Sequence, residues 1–251
     1  MRSIIIIPAR LQSSRLQCKP LLPGPDGKPM IVYTWRNALA SKLAHNVVVA
    51  TDSEEILDCM REEGATVCLT SPKHKNGTQR VHEAIKRFKE PGQQFDVVVN
   101  LQVDEPMVSG TIIDDLIRRH NYYQASTLMT SCYDWNECVS PNTVKVVAKD
   151  SNDKAVYFSR SVIPYATEET FNDTMHFKHI GIYAFRYDTL VEVANTKDCD
   201  YGEAENLEQL RILEKGFPMN AFRVFPPANA AKNWPISVND LESYNAWLEA
   251  A

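Results

Sequence analysis

The stretch that decides the fold runs from Ile4 to Leu21 and reads IIIIPARLQSSRLQCKPL. Four β-branched isoleucines in a row predict a strand buried on both faces, as at the centre of a parallel sheet. We expect Pro8 to end its ladder, because proline has no backbone N–H to donate. A polar loop follows at once. Ligands of open α/β sheets bind beyond the carboxyl ends of the strands, so a ligand is expected at this loop.

The loop after the strand carries three cations and two hydroxyl groups: Arg10, Arg15, Lys19, Ser13 and Ser14. Guanidinium and ammonium groups bind phosphate, and this spacing allows the three cations to surround a polyphosphate. The alternative, a solvated basic surface, is less favoured because the charges follow a buried strand directly. The loop has neither the GxxxxGK pattern nor the GxGxxG pattern of other phosphate-binding loops.

Composition narrows the class of protein. The chain has 251 residues, enough for a large core, and a net charge of -5, which argues against a nucleic-acid-binding protein held by bulk charge. The six cysteines form no CxxC pair and no zinc spacing, so we expect reduced thiols and a cytoplasmic location. We expect neither a membrane span nor an export signal, because no apolar run is long enough and Ile4 to Ile7 is followed by charge.

Strands and helices alternate over the first half of the chain. Predicted strands span 46–51, 65–69 and 95–101, and predicted helices span 30–43, 54–63, 79–88 and 110–122. The segment 52–55, which includes Ser53, predicts an N-cap with first-turn acids for the helix 54–63, and Gly64 is expected as its C-cap. This alternation predicts an α/β fold with a mostly parallel, doubly wound sheet.

From Ala125 onward the pattern changes. Strands are predicted at 126–130, 144–147, 155–158, 179–185 and 219–225, and helices at 187–194, 203–216 and 239–249. The strands before residue 187 have no helices between them, which predicts an antiparallel or mixed section that extends the sheet and suits contact with a partner.

A glycine and an arginine stand at the start of a predicted helix. Gly77 allows the backbone to approach a ligand, and Arg80 lies in the first turn, where a cation is unfavourable against the helix dipole. We therefore expect an anion or an acidic side chain beside Arg80. A surface arginine on an ordinary helix is an equally good alternative from this stretch alone.

An acid follows the predicted strand 95–101. Asp104 at the carboxyl edge of the sheet is well placed to hold Mg²⁺, which takes one or two protein carboxylates together with substrate phosphates. We favour Asp104 over Glu105 because Glu105 and Pro106 are expected to lead away into a turn. The alternative is that Asp104 only caps the next helix.

Polar side chains stand at element ends in the second half of the chain: Arg160, His179, Tyr183, Glu208, Gln209 and Arg211. An arginine with hydroxyl and amide groups would suit an acidic sugar. The alternatives are that His179 is a structural histidine and that Glu208 and Arg211 form a helix pair at i,i+3.

Seven motifs in order resemble one family. The segments are IPARLQSSRLQCKPL at 7–21, ATDSEEI at 50–56, NGTQR at 76–80, QVDEP at 102–106, AVYFSRSVIP at 155–164, HIGIYA at 179–184 and LEQLR at 207–211. The corresponding family patterns are IPAR-x-x-S-S/T-R-L-x-x-KPL, ATDD-x-x-I, SGT-D/E-R, QGDEP, ALYFSR-x-x-IP, H-x-GIYA and LEQLR. Over residues 4–225 the chain resembles the 3-deoxy-manno-octulosonate cytidylyltransferases, a family of sugar-acid cytidylyltransferases.

The resemblance implies a fold, a reaction and partners. The fold would be that of the nucleotide-diphospho-sugar transferases, Rossmann-like, in one α/β domain over 1–251. It would comprise a nucleotide-binding half (1–124), a sugar-binding and dimerisation section (125–225) and a C-terminal helix (226–251). The reaction would transfer CMP from CTP to the anomeric hydroxyl of a 3-deoxy sugar acid, with Mg²⁺ and release of pyrophosphate. A homodimer is implied.

The resemblance also assigns residues by motif position. Nucleotide-binding residues would be Ala9, Arg10, Ser13, Arg15, Lys19 and Arg80. Sugar-binding residues would be Gln102, Arg160, His179, Tyr183, Glu208 and Gln209. Arg10, Lys19 and Asp104 would be catalytic. Asp104 would ligate Mg²⁺, with Asn239 or Asp240 as a second ligand.

The chain departs from the family pattern at four places: Cys18 and Val103 replace glycines, Gln79 replaces an acid, and WPISVNDL at 234–241 replaces GVDTPEDL. We expect Cys18 to adopt a positive φ less easily than glycine and Val103 to place a branched side chain beside metal and substrate. The departures allow three alternatives: a changed sugar acid, a nucleotide-binding protein without turnover, or a transferase for another nucleotide.

Overall fold

The computed structural model describes residues 1–12, 15–88, 94–149, 151–197, 199–227, 230 and 234–250. The strands are β1 (Ser3–Ala9), β2 (Ala44–Thr51), β3 (Thr66–Leu69), β4 (Val97–Leu101), β5 (Ala125–Ser131), β6 (Lys145–Lys149), β7 (Lys154–Ser159), β8 (Phe177–Arg186) and β9 (Met219–Arg223). The helices are α1 (Met30–Leu39), α2 (Glu54–Glu62), α3 (Gly77–Phe88), α4 (Gly110–His120), α5 (Trp135–Val139), α6 (Tyr187–Ala194), α7 (Asp200–Glu205), α8 (Leu210–Glu214) and α9 (Leu241–Ala250).

The strands form one nine-stranded sheet in the order β3-β2-β1-β4-β8-β5-β9-β7-β6. The first four strands of this order are parallel. Strand β8 then lies between β4 and β5 and runs antiparallel to both. The first half of the chain thus forms the parallel part of the sheet, as predicted, and the second half extends it with mostly antiparallel pairs, so the sheet as a whole is mixed.

Strand β1 is buried along its whole length, as its isoleucines predict. Ile4 and Ile6 pack into the apolar cluster on one side of the sheet, and Ile5 and Ile7 pack into the cluster on the other side. Each of these fully buried side chains contributes about 1.5–3 kcal/mol by its removal from water. The four isoleucines thus hold the strand between two helical layers.

Pro8 does not end β1, contrary to our expectation. Pairing with β4 reaches only as far as Ile6, opposite Asn100, whereas pairing with β2 continues to Ala9. Beyond Ile6 the strand therefore has one neighbour, and this is the kind of edge position at which a sheet tolerates proline.

Helix ends follow the predicted signals in places. Ser53 caps α2 by accepting a hydrogen bond from the amide of Ile56, and Gly64 ends the turn after α2 with a φ of 82°. The helix predicted over 203–216 is instead two short helices, α7 and α8, because Asn206 adopts the left-handed conformation between them. Helix α5 was not predicted; Asp134 caps it by accepting from the amide of Glu137.

The C-terminal helix packs next to the opening half of the chain. Trp247 of α9 and Val238 form a buried cluster with Met30 at the start of α1. This packing places the segment 234–240 beside the end of β4. Across the described ranges, no helix combines the length and the apolar character needed to cross a bilayer.

Candidate active site

A cavity of about 620 Å³ lies where loops from both halves of the chain meet. It is lined by most of the residues that the sequence predicted: Arg15, Gln102, Asp104, Arg160, His179, Tyr183, Glu208, Gln209, Asn239 and Asp240. Ala9, Arg10, Lys19 and Arg80 lie outside the lining, and Ser13 lies outside the described residues. The fold thus brings the predicted sugar-side residues and the predicted metal-side residues into one space.

Lys19 connects the opening loop to the cavity wall. Its ammonium lies 2.6 Å from Oδ2 of Asp104 and donates to the carbonyl oxygen of Val238 at 3.0 Å. The amide of Val238 in turn donates to the main-chain oxygen of Asp104 at 2.9 Å. Three segments that are distant in sequence are thereby joined around one carboxylate.

Cys18 precedes this lysine in the left-handed conformation, with φ 50° and ψ 28°. The backbone therefore takes a positive φ here although the residue is not glycine, and Cys18 can cap the 3₁₀ turn Lys19–Leu21 only at a conformational cost of about 1–2 kcal/mol.

Val103 does not stand beside the substrate space, contrary to our expectation. Its side chain is buried in the apolar cluster with Ile5 and Ile7, and its carbonyl oxygen accepts from the hydroxyl of Thr34 at 2.9 Å. The substitution therefore fills the core beneath the site and leaves the cavity wall to Gln102 and Asp104.

Glu105 is a functional candidate that sequence reasoning missed, because the segment was expected to lead away. The carboxyl group is buried in the cavity wall, where Oε1 accepts from the amide of Gly181 at 2.8 Å and from the hydroxyl of Ser237 at 2.7 Å. Burial and the neighbouring Asp104 raise its pKa to about 7, against these hydrogen bonds and Lys178. A Cβ at position 181 would lie 2.7 Å from this oxygen, so any larger residue there would displace the carboxylate of Glu105.

Arg15 lies at the mouth of the cavity. Nη1 donates to Oδ1 of Asn142 at 2.7 Å, and Nη2 lies 3.5 Å from Oδ1 of Asn239. Asp240 caps α9 by accepting from the amide and hydroxyl of Ser243. Burial opposes the ionised form of Asp240, but the hydrogen bonds from Ser243 outweigh it and lower its pKa.

Arg80 has the acidic partner that its place in the helix predicted. Its guanidinium lies 2.8 Å from Oδ2 of Asp52 and donates to the hydroxyl of Thr70 at 2.6 Å, and the side chain is almost fully buried. Asn76 caps the same helix by accepting from the main-chain N–H of Gln79, and the side-chain oxygen of Gln79, at the position of the family's acid, accepts from the main-chain N–H of Lys75. Arg80 therefore ties α3 to the end of β2.

Glu208 and Gln102 form a second polar corner. The carboxylate of Glu208 accepts from the amide of Thr78 at 3.2 Å and from Nε2 of Gln102 at 3.3 Å, and burial raises its pKa. Gly77 approaches so closely that a Cβ there would lie 2.8 Å from the amide nitrogen of Gln102. The close approach foreseen for Gly77 is therefore made by a side chain of the site.

Arg160 is held by main-chain oxygens rather than by a carboxylate. Nε donates to the carbonyl of Glu205 at 2.8 Å, Nη1 to that of Pro141 at 2.7 Å and Nη2 to that of Asn206 at 3.2 Å. Burial, with Arg15 nearby, lowers its pKa. Carbonyl dipoles fix the guanidinium without cancelling its unit charge, so it is preorganised to receive an anion.

His179 and Tyr183 pack against each other with their rings tilted by 38° and the ring centroids 5.3 Å apart. Nε2 of His179 lies 2.9 Å from the hydroxyl of Thr127, and burial lowers the histidine's pKa to about 3, so the ring is neutral. Burial also raises the pKa of Tyr183 well above its usual value. His179 thus meets the structural alternative, a satisfied histidine, while it also lines the cavity.

The carboxylates around the cavity offer few free oxygens to a divalent ion. Across the ranges that the structure describes, no group of three or more His, Cys, Asp or Glu side chains is arranged to hold a metal. Glu105 is engaged by Gly181 and Ser237, and Asp240 caps a helix. Asp104 keeps a partly exposed carboxylate beside Lys19, and Mg²⁺ can be held by one or two protein carboxylates, so Asp104 fits as a ligand of such an ion.

Residues 4–222 match the cytidylyltransferase family. This chain belongs to that family. Among relatives of the cytidylyltransferase family, 3-deoxy-manno-octulosonate cytidylyltransferase of Chlorobium phaeobacteroides is 44% identical over 222 residues, 86% of this chain and 87% of the relative. The protein of the same name from Fusobacterium nucleatum is 38% identical and covers 86% of each chain.

Solved structures of cytidylyltransferases have the same fold as this chain. A CMP:2-keto-3-deoxy-manno-octonic acid synthetase complexed with CTP superposes with a TM-score of 0.84 at 31% identity, covering 99% of this chain and 98% of that one. A 4-diphosphocytidyl-2C-methyl-D-erythritol synthase from Anaerococcus prevotii, 14% identical with a TM-score of 0.62, shares the fold alone.

Proposed function

We propose that the protein transfers CMP from CTP to the anomeric hydroxyl of 3-deoxy-manno-octulosonate (Kdo), or of a closely related 3-deoxy sugar acid, and releases pyrophosphate. The observation that carries the proposal is that one cavity is lined both by Asp104, which is paired with Lys19, and by the preorganised Arg160. The names of the relatives and the CTP complex of the superposed structure support the same substrates.

The opening loop would hold the triphosphate. Arg10 is exposed at the end of β1, Arg15 lies at the cavity mouth and Lys19 stands beside Asp104. We assign triphosphate binding to these three cations, with Ala9 and Ser13 beside the nucleotide and Arg80 supporting the neighbouring loop. Their charges would offset the negative charge that develops between the α-phosphate and the leaving pyrophosphate.

The sugar acid would occupy the other end of the cavity. Arg160 would receive its carboxylate as an ion pair, and Gln102 and Glu208 would hydrogen-bond its hydroxyl groups. His179, Tyr183 and Gln209 complete this wall.

Chemistry at the α-phosphate would be an in-line displacement. A bond forms between the anomeric oxygen and the α-phosphorus, the bond from that phosphorus to the oxygen of the departing pyrophosphate breaks, and the hydroxyl proton passes to solvent. Mg²⁺, held by Asp104 and phosphate oxygens, would supply further neutralisation of charge. The chain's own residues align the two substrates and exclude other geometries, and alignment alone removes much of the barrier.

We further propose a homodimer formed through the antiparallel section. Tyr165, Met175 and Phe225 are 87%, 58% and 67% exposed, so this part of the chain offers apolar side chains that a partner subunit would cover. Light scattering during size-exclusion chromatography tests this: a mass of one chain at micromolar concentration would refute it.

Turnover decides the proposal. Purified protein is given CTP, Mg²⁺ and Kdo, and pyrophosphate release is followed together with the ³¹P signal of a new phosphodiester; UTP and GTP serve as matched nucleotides. We expect CTP and Kdo together to give pyrophosphate. If no 3-deoxy sugar acid supports pyrophosphate release while CTP still raises the melting temperature, the protein is instead a nucleotide-binding homologue without turnover. The asparagine at position 239, in place of a second aspartate for the metal ion, would explain that result.

A further inference from the structure

Lys145 is a buried cation for which the proposed reaction has no direct use. It lies at the start of β6 with no exposed surface, and its ammonium donates to three main-chain oxygens, those of Ser140 at 2.8 Å, Thr143 at 2.6 Å and Arg160 at 2.6 Å. In the part of the chain that the structure describes, no carboxylate lies at ion-pair distance from it. An ammonium taken out of water costs several kcal/mol, and buried lysines are normally paired with an acid.

The three oxygens belong to the wall of the cavity. Ser140 and Thr143 line the cavity themselves, in the turn that follows α5. The third oxygen belongs to Arg160, whose guanidinium returns to the same turn and donates to the carbonyl of Pro141. The turn 140–143 and the backbone of Arg160 are therefore fixed to each other from two sides.

The arrangement also concentrates positive charge. Because carbonyl dipoles satisfy both Lys145 and Arg160, neither unit charge is cancelled by direct contact with a carboxylate oxygen. The groups that face Lys145 are the thiols of Cys132 and Cys138, the guanidinium of Arg160 and the carboxylate of Glu205. Burial lowers the pKa of Lys145 to about 8, so the ammonium is charged at neutral pH.

We propose that Lys145 is a positioning residue of the acceptor half of the site: it locks Arg160 and the turn 140–143 into the geometry that receives the anionic group of the sugar acid. The proposal rests on the proposed function, since it assigns the acceptor's anion to this corner. It predicts an effect on the sugar acid that is not shared by the nucleotide.

The test compares two lysines of β6. Lys145→Met removes the donors and the charge while it keeps an unbranched side chain of similar length, and Lys149→Met, at the exposed end of the same strand, is the matched control. We expect Lys145→Met to raise the KM for the sugar acid about 10-fold with the KM for CTP unchanged within about 2-fold, because misplacing a binding group by a fraction of an ångström is costly. Lys149→Met should change neither. An equal rise in both KM values, or no rise, overturns the proposal.

A double variant shows whether the effect passes through the arginine. If Lys145 acts by positioning Arg160, then adding Lys145→Met to an Arg160→Gln protein should raise the KM for the sugar acid by less than about 2-fold, although the same change raises it about 10-fold in the original protein. Full additivity would refute the route through Arg160.

The unaltered protein provides an arm that does not depend on a variant folding. As pH rises above about 8 the ammonium loses its charge, so the KM for the sugar acid should rise between pH 7.5 and pH 9.5 while the KM for CTP stays level. A flat profile contradicts the proposal. Failure of the proposed function is a different outcome, because the unaltered protein would then turn over no 3-deoxy sugar acid at any pH.

Discussion

The ammonium of Lys19 lies 2.6 Å from the carboxylate of Asp104, and these two residues come from different segments, 85 positions apart. The same ammonium donates to the carbonyl of Val238, so the contact also reaches the segment before the last helix. The cation to which we assign triphosphate binding is thus held by the carboxylate that would hold the metal ion. When the nucleotide binds with its metal ion, Lys19 and Asp104 would give up their contact with each other for contacts with the phosphates and the ion.

Asp104→Asn tests the role of the carboxylate. Asparagine keeps the shape but removes the charge, so we expect kcat to fall about 100-fold or more, because fixed charges at the reacting phosphate carry a large share of catalysis. Pyrophosphate release with CTP and Kdo measures it. Asp115→Asn, at another partly exposed aspartate in ion pairs with Arg118 and Arg119, should leave kcat unchanged. A variant at Asp104 with more than half of the original kcat would contradict the assignment.

Asn239→Asp tests the incomplete metal side. Asn239 directly follows Val238, which is bonded to Asp104, and its side chain lies 3.5 Å from the guanidinium of Arg15. A second carboxylate here should lower the Mg²⁺ concentration for half-maximal rate about 10-fold, since an anionic ligand binds Mg²⁺ more tightly than an amide. A Mg²⁺ titration of activity measures the effect. Asn245→Asp, exposed on the last helix, adds the same charge elsewhere; an equal shift in that protein would show a general charge effect instead.

Cys18→Gly should stabilise the protein. Cys18 has a φ of 50°, a conformation that costs a residue with a side chain about 1–2 kcal/mol. Glycine removes this cost, but part of the gain is lost because glycine makes the unfolded chain more flexible. We expect a gain of about 0.5–1 kcal/mol in the free energy of unfolding, which raises Tm by about 1–4 °C. Cys18→Ala keeps the strained φ and removes only the thiol, so a gain as large in that variant would show that the thiol, and not the backbone, was at fault.

His120 predicts a loss of stability in acid. The ring is fully buried against the hydroxyl of Ser126, and burial lowers its pKa to about 4. Below about pH 6.5 this histidine binds a proton in the unfolded chain, whereas in the folded chain it stays neutral until about pH 4. The free energy of unfolding therefore falls as pH drops from 6.5 towards 4, by about 2 kcal/mol at pH 5. Urea unfolding of His120→Asn between pH 7 and pH 5 should show a correspondingly smaller loss. His45→Asn, at an exposed histidine, is the matched control, and an equally reduced loss in that protein would show that the effect does not come from the buried ring.

Much of the fold could be predicted because its signals are local. The isoleucines of β1, the cap at Ser53 and the turn at Gly64 act within a few residues of themselves, and the structure confirms all three. Strand order could not be predicted in this way. The insertion of β8 between β4 and β5 depends on contacts between residues that are far apart in sequence, for which periodicity carries no signal.

The same contrast between local signals and long-range packing applies to the site. Loop charges, element ends and the family resemblance indicated ten of the residues that line the cavity. Whether a side chain faces the core or the cavity was decided by packing, as Val103 and Glu105 show in opposite senses. Glu105 had one usable signal, an acid adjoining a predicted metal ligand at a strand end. Lys145 had none, because a lysine in a strand predicts solvent exposure and only the tertiary turn of carbonyls around it explains its burial.

The place of β8 limits how this enzyme can be divided. This one strand pairs with β4, supplies the glycine amide that holds Glu105 and carries His179 and Tyr183 of the acceptor wall. A fragment cut at residue 124 would therefore expose the whole edge of β4, a template for uncontrolled strand pairing. We therefore expect that residues 1–124 do not form a stable protein on their own. A chimera designed to change the acceptor should include β8 of the donor protein, in the same register with its neighbouring strands.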